Sequence, residues 1–227
     1  MYFVNFEPTT ATGTKYEYYI SLITDEIKEC LNANAISYIS SGNYPDENII
    51  KNSQIVNISL GVSDKPSETL PFETSGIHIV FGAGNPESKR LSSILEQNFK
   101  NFYSDEISAK IISDERPQES VSITINLGFS DNPEDMAWLR DNTDSIAKAV
   151  VLSLCEYFEI PFIGCENYTM GIANTDATIF DKPSLGAKIL GNITSNSKVR
   201  INSQWEDWYI IGENGKLGYV QTKFVNV

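Results

Sequence analysis

The sequence predicts an α/β domain followed by a small all-β barrel, and three observations lead to this fold class. Over residues 1–163, segments with alternating apolar residues take turns with segments whose apolar residues recur at helical spacing. Helical spacing stops after Met170, and short β-like segments separated by turn residues follow. Strands that alternate with helices favour a layered α/β domain, whereas many short strands with tight turns are typical of a barrel.

The first region is predicted to contain five strands and three helices. The strands cover residues 2–6, 35–39, 55–60, 77–81 and 121–127, and the helices cover residues 17–31, 91–102 and 143–157. The last strand shows the pattern most clearly, because apolar side chains alternate there with Ser122, Thr124 and Asn126. One face of this strand is therefore expected to be apolar and the other polar.

The second region is predicted to contain five short strands. They cover residues 177–180, 187–193, 198–201, 208–211 and 217–220, with turn signals such as Asp181-Lys182-Pro183 between them. The chain changes character near Pro161, so the boundary is expected at residues 162–169. The predicted domains are therefore residues 1–163 and residues 164–227.

Charge is distributed unevenly along the chain, which carries a formal net charge of -13. Residues 1–163 hold 24 acidic and 11 basic side chains, and residues 164–227 hold 6 of each. An acidic body repels phosphate, which argues against a nucleic-acid-binding protein and against a basic membrane-binding face. The longest apolar runs are also far shorter than the roughly 20 residues of a membrane span.

Three cysteines, Cys30, Cys155 and Cys165, bear on the compartment of the protein. Their number is odd and no two are spaced as a CxxC pair, so they are predicted to be buried or half-buried free thiols. Residues 1–6 resemble a strand and show no basic leader region. Either the protein stays inside the cell or a leader has been removed.

The C-terminal region contains an ordered set of short motifs at residues 177–184, 189–191, 197–199, 208–211 and 215–220. In this order they resemble a bacterial SH3-like domain. The resemblance implies attachment to the bacterial cell wall through an aromatic groove that stacks on sugar or peptide. The candidate ligand-binding residues are Trp205, Trp208, Tyr209 and Tyr219. Alternatively, these aromatic residues fill the core of the small barrel.

One stretch of the first region, residues 125–135, is Ile-Asn-Leu-Gly-Phe-Ser-Asp-Asn-Pro-Glu-Asp, and Trp138 follows it. This stretch is the best part of a resemblance of residues 1–163 to the zinc-dependent N-acetylmuramoyl-L-alanine amidases. Residues 58–60 resemble the strand before a ligand histidine, and Glu17 resembles a ligand at a helix start. The resemblance implies a mixed sheet flanked by helices.

The resemblance also implies a zinc site, but this chain lacks several of the residues that such a site needs. The family binds zinc through two His and one Glu, and a further Glu handles protons. Glu17 keeps the glutamate ligand position, but Gly61 stands at the second histidine and Asn126 at the catalytic glutamate. No histidine follows the first strand near residues 7–10, where the family has the first one.

The sole histidine, His78, cannot fill these positions and is predicted to be a packed or edge-strand residue away from them. A carboxamide such as Asn126 does not accept a proton near neutral pH. Zinc is therefore predicted to be absent. The sequence predicts a catalytically inactive, cell-wall-associated protein that binds or scaffolds, with peptidoglycan or a cell-wall enzyme as its partner.

Two other functions remain open from the sequence. One is an active amidase that cuts the muramoyl–L-alanine amide bond through an unrecognised metal arrangement. The other is an intracellular regulator whose inactive site holds a protein segment. A cell-envelope or extracellular location follows from the resemblance only if a leader has been removed.

Overall fold

The computed structural model describes residues 1–8, 16–39, 45, 47–64, 75–103, 109–114, 120–165, 169–213 and 216–227. Its helices are α1 Glu17–Ala33, α2 Glu47–Lys51, α3 Pro86–Tyr103, α4 Pro133–Asp141 and α5 Thr143–Phe158, with a 3-10 turn at Thr222–Phe224. None of the helices in this described part has the length and apolarity that a membrane span needs. The three helices predicted from periodicity are thus confirmed, and the sequence analysis missed the two shorter helices, α2 and α4.

The strands form two sheets. They are β1 Tyr2–Pro8, β2 Ile36–Ile39, β3 Gln54–Ser63, β4 Ile77–Gly82, β5 Ala109–Asp114, β6 Ser122–Phe129, β7 Thr169–Ala173, β8 Ala177–Phe180, β9 Ile189–Ile193, β10 Lys198–Trp205, β11 Trp208–Glu213, β12 Lys216–Gln221 and β13 Val225–Asn226. The sequence analysis predicted all but β5, β7 and β13, which are short or lie next to segments without clear periodicity.

The first sheet has six strands in the order β2-β1-β3-β6-β4-β5. Strand β3 runs parallel to β6, β4 runs parallel to β5, and β4 runs antiparallel to β6. Helix α3 contacts β4 and β5, and helix α4 contacts β6. The predicted mixed sheet with flanking helices is therefore confirmed.

The second sheet has seven strands in the order β13-β7-β10-β11-β12-β8-β9, and its pairs are antiparallel. One side of it buries an apolar cluster that includes Ile179, Val199, Ile201, Ile211 and Val220. The all-β character of the C-terminal region is confirmed, whereas an SH3-like barrel stays a prediction.

The contacts between residues divide the chain into two compact units. The first unit combines residues 1–3, 28–54 and 158–227, and the second combines residues 4–27 and 55–157. The first unit is thus assembled from three separate parts of the sequence. The domain boundary between residues 163 and 164 stays a prediction.

Within the first unit, Cys30 and Cys165 form a disulfide bond, and the prediction of free thiols is wrong for these two residues. Their sequence separation of 135 residues gave no sign of the pair, because the fold alone brings the two Cα atoms to 4.3 Å. Cys155 is a free, buried cysteine, as predicted. Burial raises the pKa of the Cys155 thiol to about 12.

Next to the disulfide, Asn34 fixes the segment that leads into the second sheet. The Asn34 side chain is fully buried. Its Nδ2 donates to the carbonyl oxygens of Cys30 and Gly164 at 2.7 and 2.8 Å, and its Oδ1 accepts from the Ile163 amide at 2.7 Å. A buried amide whose donors and acceptor are used in this way specifies one backbone path. Asn34 and the disulfide therefore hold the same short segment.

Ala35, the residue after Asn34, also contacts the second sheet inside the first unit. It packs in a buried cluster with Trp208, Ile210 and Tyr219. The Ser203 hydroxyl donates a hydrogen bond to the Ala33 carbonyl oxygen. Residues before β2 thus supply part of the core of the second sheet.

Candidate functional site

Gly61 and Asn126 lie directly opposite each other on the neighbouring parallel strands β3 and β6. The backbone carries them to the same level of the sheet, so two positions from separate parts of the sequence are brought together. Residues opposite each other on adjacent strands share one face of a sheet. Gly61 is buried and Asn126 is half-buried.

His78 lies opposite Asn126 on the other side, because β4 pairs with β6 in that register. The prediction that His78 belongs to a segment away from the site is therefore wrong, as is an edge-strand position, since β4 lies between β6 and β5. Periodicity could not reveal the neighbour, because strand order and register are set by tertiary pairing.

The His78 ring is packed against its neighbours. It lies edge-on to Phe129 with ring centroids 4.9 Å apart. Burial, followed by the charge of Lys110, lowers the pKa of His78, and Asp135 opposes this shift. Its Nε2 atom is buried and has no hydrogen-bond partner among the described residues. The environment therefore favours the neutral imidazole.

Asp135 anchors the loop that follows β6, and sequence reasoning did not single it out. Its carboxylate accepts hydrogen bonds from the Gly76 amide at 3.1 Å and from the Phe129 amide at 3.0 Å. Burial raises the pKa of Asp135, although both backbone hydrogen bonds oppose the shift. A signal was present in the sequence, because Asn132 caps α4 and places Asp135 three residues later.

Gly128 lets Asp135 come this close. Its φ angle is +135°, and a Cβ atom at this position would lie 2.8 Å from the Asp135 Cβ. Only glycine combines that backbone conformation with that lack of volume. The glycine near the end of β6 is therefore explained by the packing of Asp135.

Glu17 is the exposed first residue of α1. The hydroxyl of the preceding residue, Tyr16, donates to the Ser130 carbonyl oxygen at 3.3 Å. Ser130 in turn donates its amide to the Ser63 carbonyl at 2.9 Å and its hydroxyl to Asp64 Oδ1 at 2.8 Å. The start of α1 and the ends of β3 and β6 thus meet at one place.

A zinc site of the kind implied by the resemblance does not fit these side chains. Gly61 offers no ligand atom, and the Asn126 carboxamide cannot take a proton near neutral pH. No three His, Cys, Asp or Glu residues of the described segments are grouped so that they could hold a metal ion. Glu17 has the residue type that the resemblance implies for a ligand, and that role stays a prediction.

A cavity of about 530 Å³ opens beside this site in the second unit. Residues of α1, of the loop after β6 and of α4 line it, among them Tyr16, Tyr19, Asp131, Pro133, Met136 and Arg140. A cavity of this size is in the range of small-ligand sites. Neither Gly61 nor Asn126 is among its lining residues.

The aromatic residues predicted to bind a ligand are placed differently from one another. Trp208 is 8% exposed and Tyr219 is fully buried, so both fill the core around Ala35. Trp205 is half-buried, and half-buried Tyr209 packs against the apolar cluster of the second sheet. A ligand-binding role for Trp205 stays a prediction.

Several solved structures with a similar fold are amidases. AmiC2 of Nostoc punctiforme, an N-acetylmuramoyl-L-alanine amidase, is 14% identical, has a TM-score of 0.52 and covers 70% of this chain and 97% of its own. The catalytic domain of the amidase CwlV from Bacillus (Paenibacillus) polymyxa is 14% identical, with a TM-score of 0.53 and coverage of 71% and 100%. About 70% of this chain has the amidase fold.

A third similar structure is the CwlD amidase from Clostridioides difficile in complex with the GerS lipoprotein. It is 16% identical, has a TM-score of 0.51 and covers 70% of this chain and 99% of its own. No protein-family model and no curated protein matches the chain. At these identities the amidase likeness establishes the fold and leaves the chemistry to the site residues.

Proposed function

We propose that this chain is a cell-wall-associated protein that uses an amidase fold to bind or scaffold, without hydrolysing peptidoglycan. The observation that carries the proposal is the pairing of Gly61 with Asn126. In the resembling family these positions supply a zinc ligand and the proton-handling glutamate. Here they offer a backbone and a carboxamide, neither of which activates a water molecule at neutral pH.

The neighbourhood of Asn126 supports this proposal. A glutamate at that position would stand beside His78, whose surroundings disfavour a positive charge. A carboxylate without a bound cation would be costly at this half-buried place, whereas the amide keeps the shape and removes the charge. The local electrostatics thus suit a site without a cation.

The disulfide supports a location outside the cytoplasm. Cys30 is fully buried and bonded to Cys165. Disulfide bonds persist in oxidising compartments and are rare where thiols are kept reduced. We therefore place the protein in the cell envelope or outside the cell, where peptidoglycan or a cell-wall enzyme is its expected partner.

The activity test measures new amino termini released from purified peptidoglycan. We expect no release from the full chain, with or without added zinc, and no stoichiometric zinc after dialysis. The Gly61→His/Asn126→Glu double variant should also stay inactive, because the first ligand histidine is still missing. Release that a chelator abolishes would overturn the proposal in favour of an active amidase.

The binding test measures sedimentation of the full chain with insoluble peptidoglycan. Residues 164–227 carry no net charge, and Trp205 is half-exposed on a strand end, so this region can meet an anionic wall without repulsion. Trp205→Ala should weaken binding by about 1–3 kcal/mol, as interface aromatic residues do. The control is Gln204→Ala, which changes the exposed neighbour.

The full chain is needed because an isolated fragment of residues 164–227 would lose the packing of Ala35 on Trp208 and Tyr219. Equal sedimentation of both variants and the parent would move the binding site away from Trp205. No sedimentation at all would refute wall binding.

A further inference from the structure

The cavity between α1 and α4 is lined by aromatic, apolar and acidic side chains, which together suit a cationic ligand. Two phenol rings, Tyr16 and Tyr19, line it from α1 and the residue before α1. Pro133 and Met136 supply apolar surface from α4. Asp131 adds a carboxylate from the loop after β6. Aromatic faces together with a carboxylate attract organic cations.

The Asp131 carboxylate is poorly compensated by the protein. Its Oδ2 atom is buried and accepts no hydrogen bond from any residue in the described part of the chain. A carboxylate that has lost water on one oxygen gains free energy when a cation approaches the other. The half-buried Asp131 side chain still lines the cavity, so a ligand can approach it.

Arg140 lines the same cavity but does not supply that cation. Its Nε and Nη2 donate to the two oxygens of Asp141 at 2.6 and 2.8 Å. This bidentate pair neutralises the guanidinium locally. The surrounding body adds to the negative potential, because residues 1–163 carry a formal charge of -13. The potential at the cavity therefore favours a positive ligand.

We propose that this cavity binds a primary ammonium group on an aliphatic chain, such as the side chain of lysine or of another diamino acid. The ammonium would approach Asp131 and the faces of Tyr16 and Tyr19, and its methylene groups would contact Pro133 and Met136. An ammonium is a compact charge that needs few fixed partners, unlike a planar guanidinium. This site is separate from Gly61 and Asn126 and does not depend on wall binding.

The experiment titrates the full chain with Nα-acetyl-lysine N-methylamide and follows backbone amide shifts by NMR. We expect saturable shifts at residues that line the cavity, such as Met136 and Ala137, and weaker binding as salt increases. The neutral analogue, acetylated on Nε, should bind at least about tenfold more weakly. Equal binding of the charged and neutral ligands, or no saturable shift, would overturn the proposal.

Matched variants assign the effect to the cavity. Asp131→Asn should weaken binding at least about tenfold, whereas Asp144→Asn should leave it unchanged, because Asp144 is exposed and pairs with Lys148 at 2.7 Å. Tyr19→Leu provides a second test and should weaken binding through loss of the ring alone. Unchanged affinity in a folded Asp131→Asn or Tyr19→Leu variant would contradict the assignment.

The same assay distinguishes two sources of the ammonium group, a wall peptide and a protein. Soluble wall peptides and a lysine-containing protein peptide are each tested as competitors, before and after acetylation of their amines. Competition by either one, lost on acetylation, supports the proposal and identifies the source. Competition that survives acetylation contradicts it. Failure to sediment with peptidoglycan would refute the proposed function and leave this result unaffected.

Discussion

Removal of the Cys30–Cys165 disulfide is expected to lower the free energy of unfolding by about 2–5 kcal/mol. The bond closes a loop with a sequence separation of 135 residues, so breaking it restores much freedom to the unfolded chain. Cys30→Ser/Cys165→Ser in the full chain should show this loss in urea unfolding without reductant. The free energy of unfolding of the parent protein should fall by the same amount when reductant is added.

Cys155 offers the matched control for this experiment. It is a buried thiol outside the disulfide, so Cys155→Ala should remain sensitive to reductant by the same amount as the parent. The double serine variant should be insensitive to reductant. A parent protein whose urea midpoint does not respond to reductant would show that the bond makes no contribution to stability.

Asp135→Ala is expected to cost about 2–5 kcal/mol, because the buried Gly76 and Phe129 amides would lose their acceptor. Asp135→Asn should cost less, about 1–3 kcal/mol, since it keeps one acceptor but turns an NH₂ group toward backbone donors. Glu134→Ala is the control, because this neighbour is exposed. A loss equal to that of the control would show that the two amides find other partners.

The difference in unfolding free energy between the parent protein and Asp135→Asn is expected to change with pH in one direction. Burial raises the pKa of Asp135 above its ordinary 3.8 in the folded protein. The folded state therefore binds the proton more tightly, and the contribution of this group to stability falls as pH rises from about 3.8 through the folded pKa. The stability difference between the parent and Asp135→Asn should narrow as pH rises through that window. A difference that widens would contradict a raised pKa.

The sequence predicted the elements of the fold because periodicity is a local signal. The alternation through residues 121–127 predicted β6, and the stripe of Ile146, Val150 and Leu154 predicted α5. The short strand β5 was not predicted, because the sequence around it shows no clear alternation of apolar and polar residues. The three-part make-up of the first compact unit was not predicted, since contacts rather than composition define it.

The candidate site could be predicted only as far as the ordered resemblance reached. It supplied the positions of Gly61 and Asn126, which lie opposite each other. It gave no hint of His78 beside Asn126, because that neighbour depends on strand register. The Asn132 cap could have placed Asp135 in the first turn of α4, but the contacts of Asp135 and the cavity next to Asp131 depend on how loops and helix ends pack.

The three-part first unit has a consequence for how the protein is made. A ribosome adds about 5–20 residues per second, so Cys165, which lies 135 residues after its partner Cys30, emerges roughly 7–27 seconds later. Trp208, Ile210 and Tyr219 emerge later still, and until then the surroundings of Ala35 remain open to water or to other chains. Such long-range contacts slow folding and prolong the period in which aggregation competes. A nascent chain that stays unfolded for this interval is also one that a translocation channel can still accept.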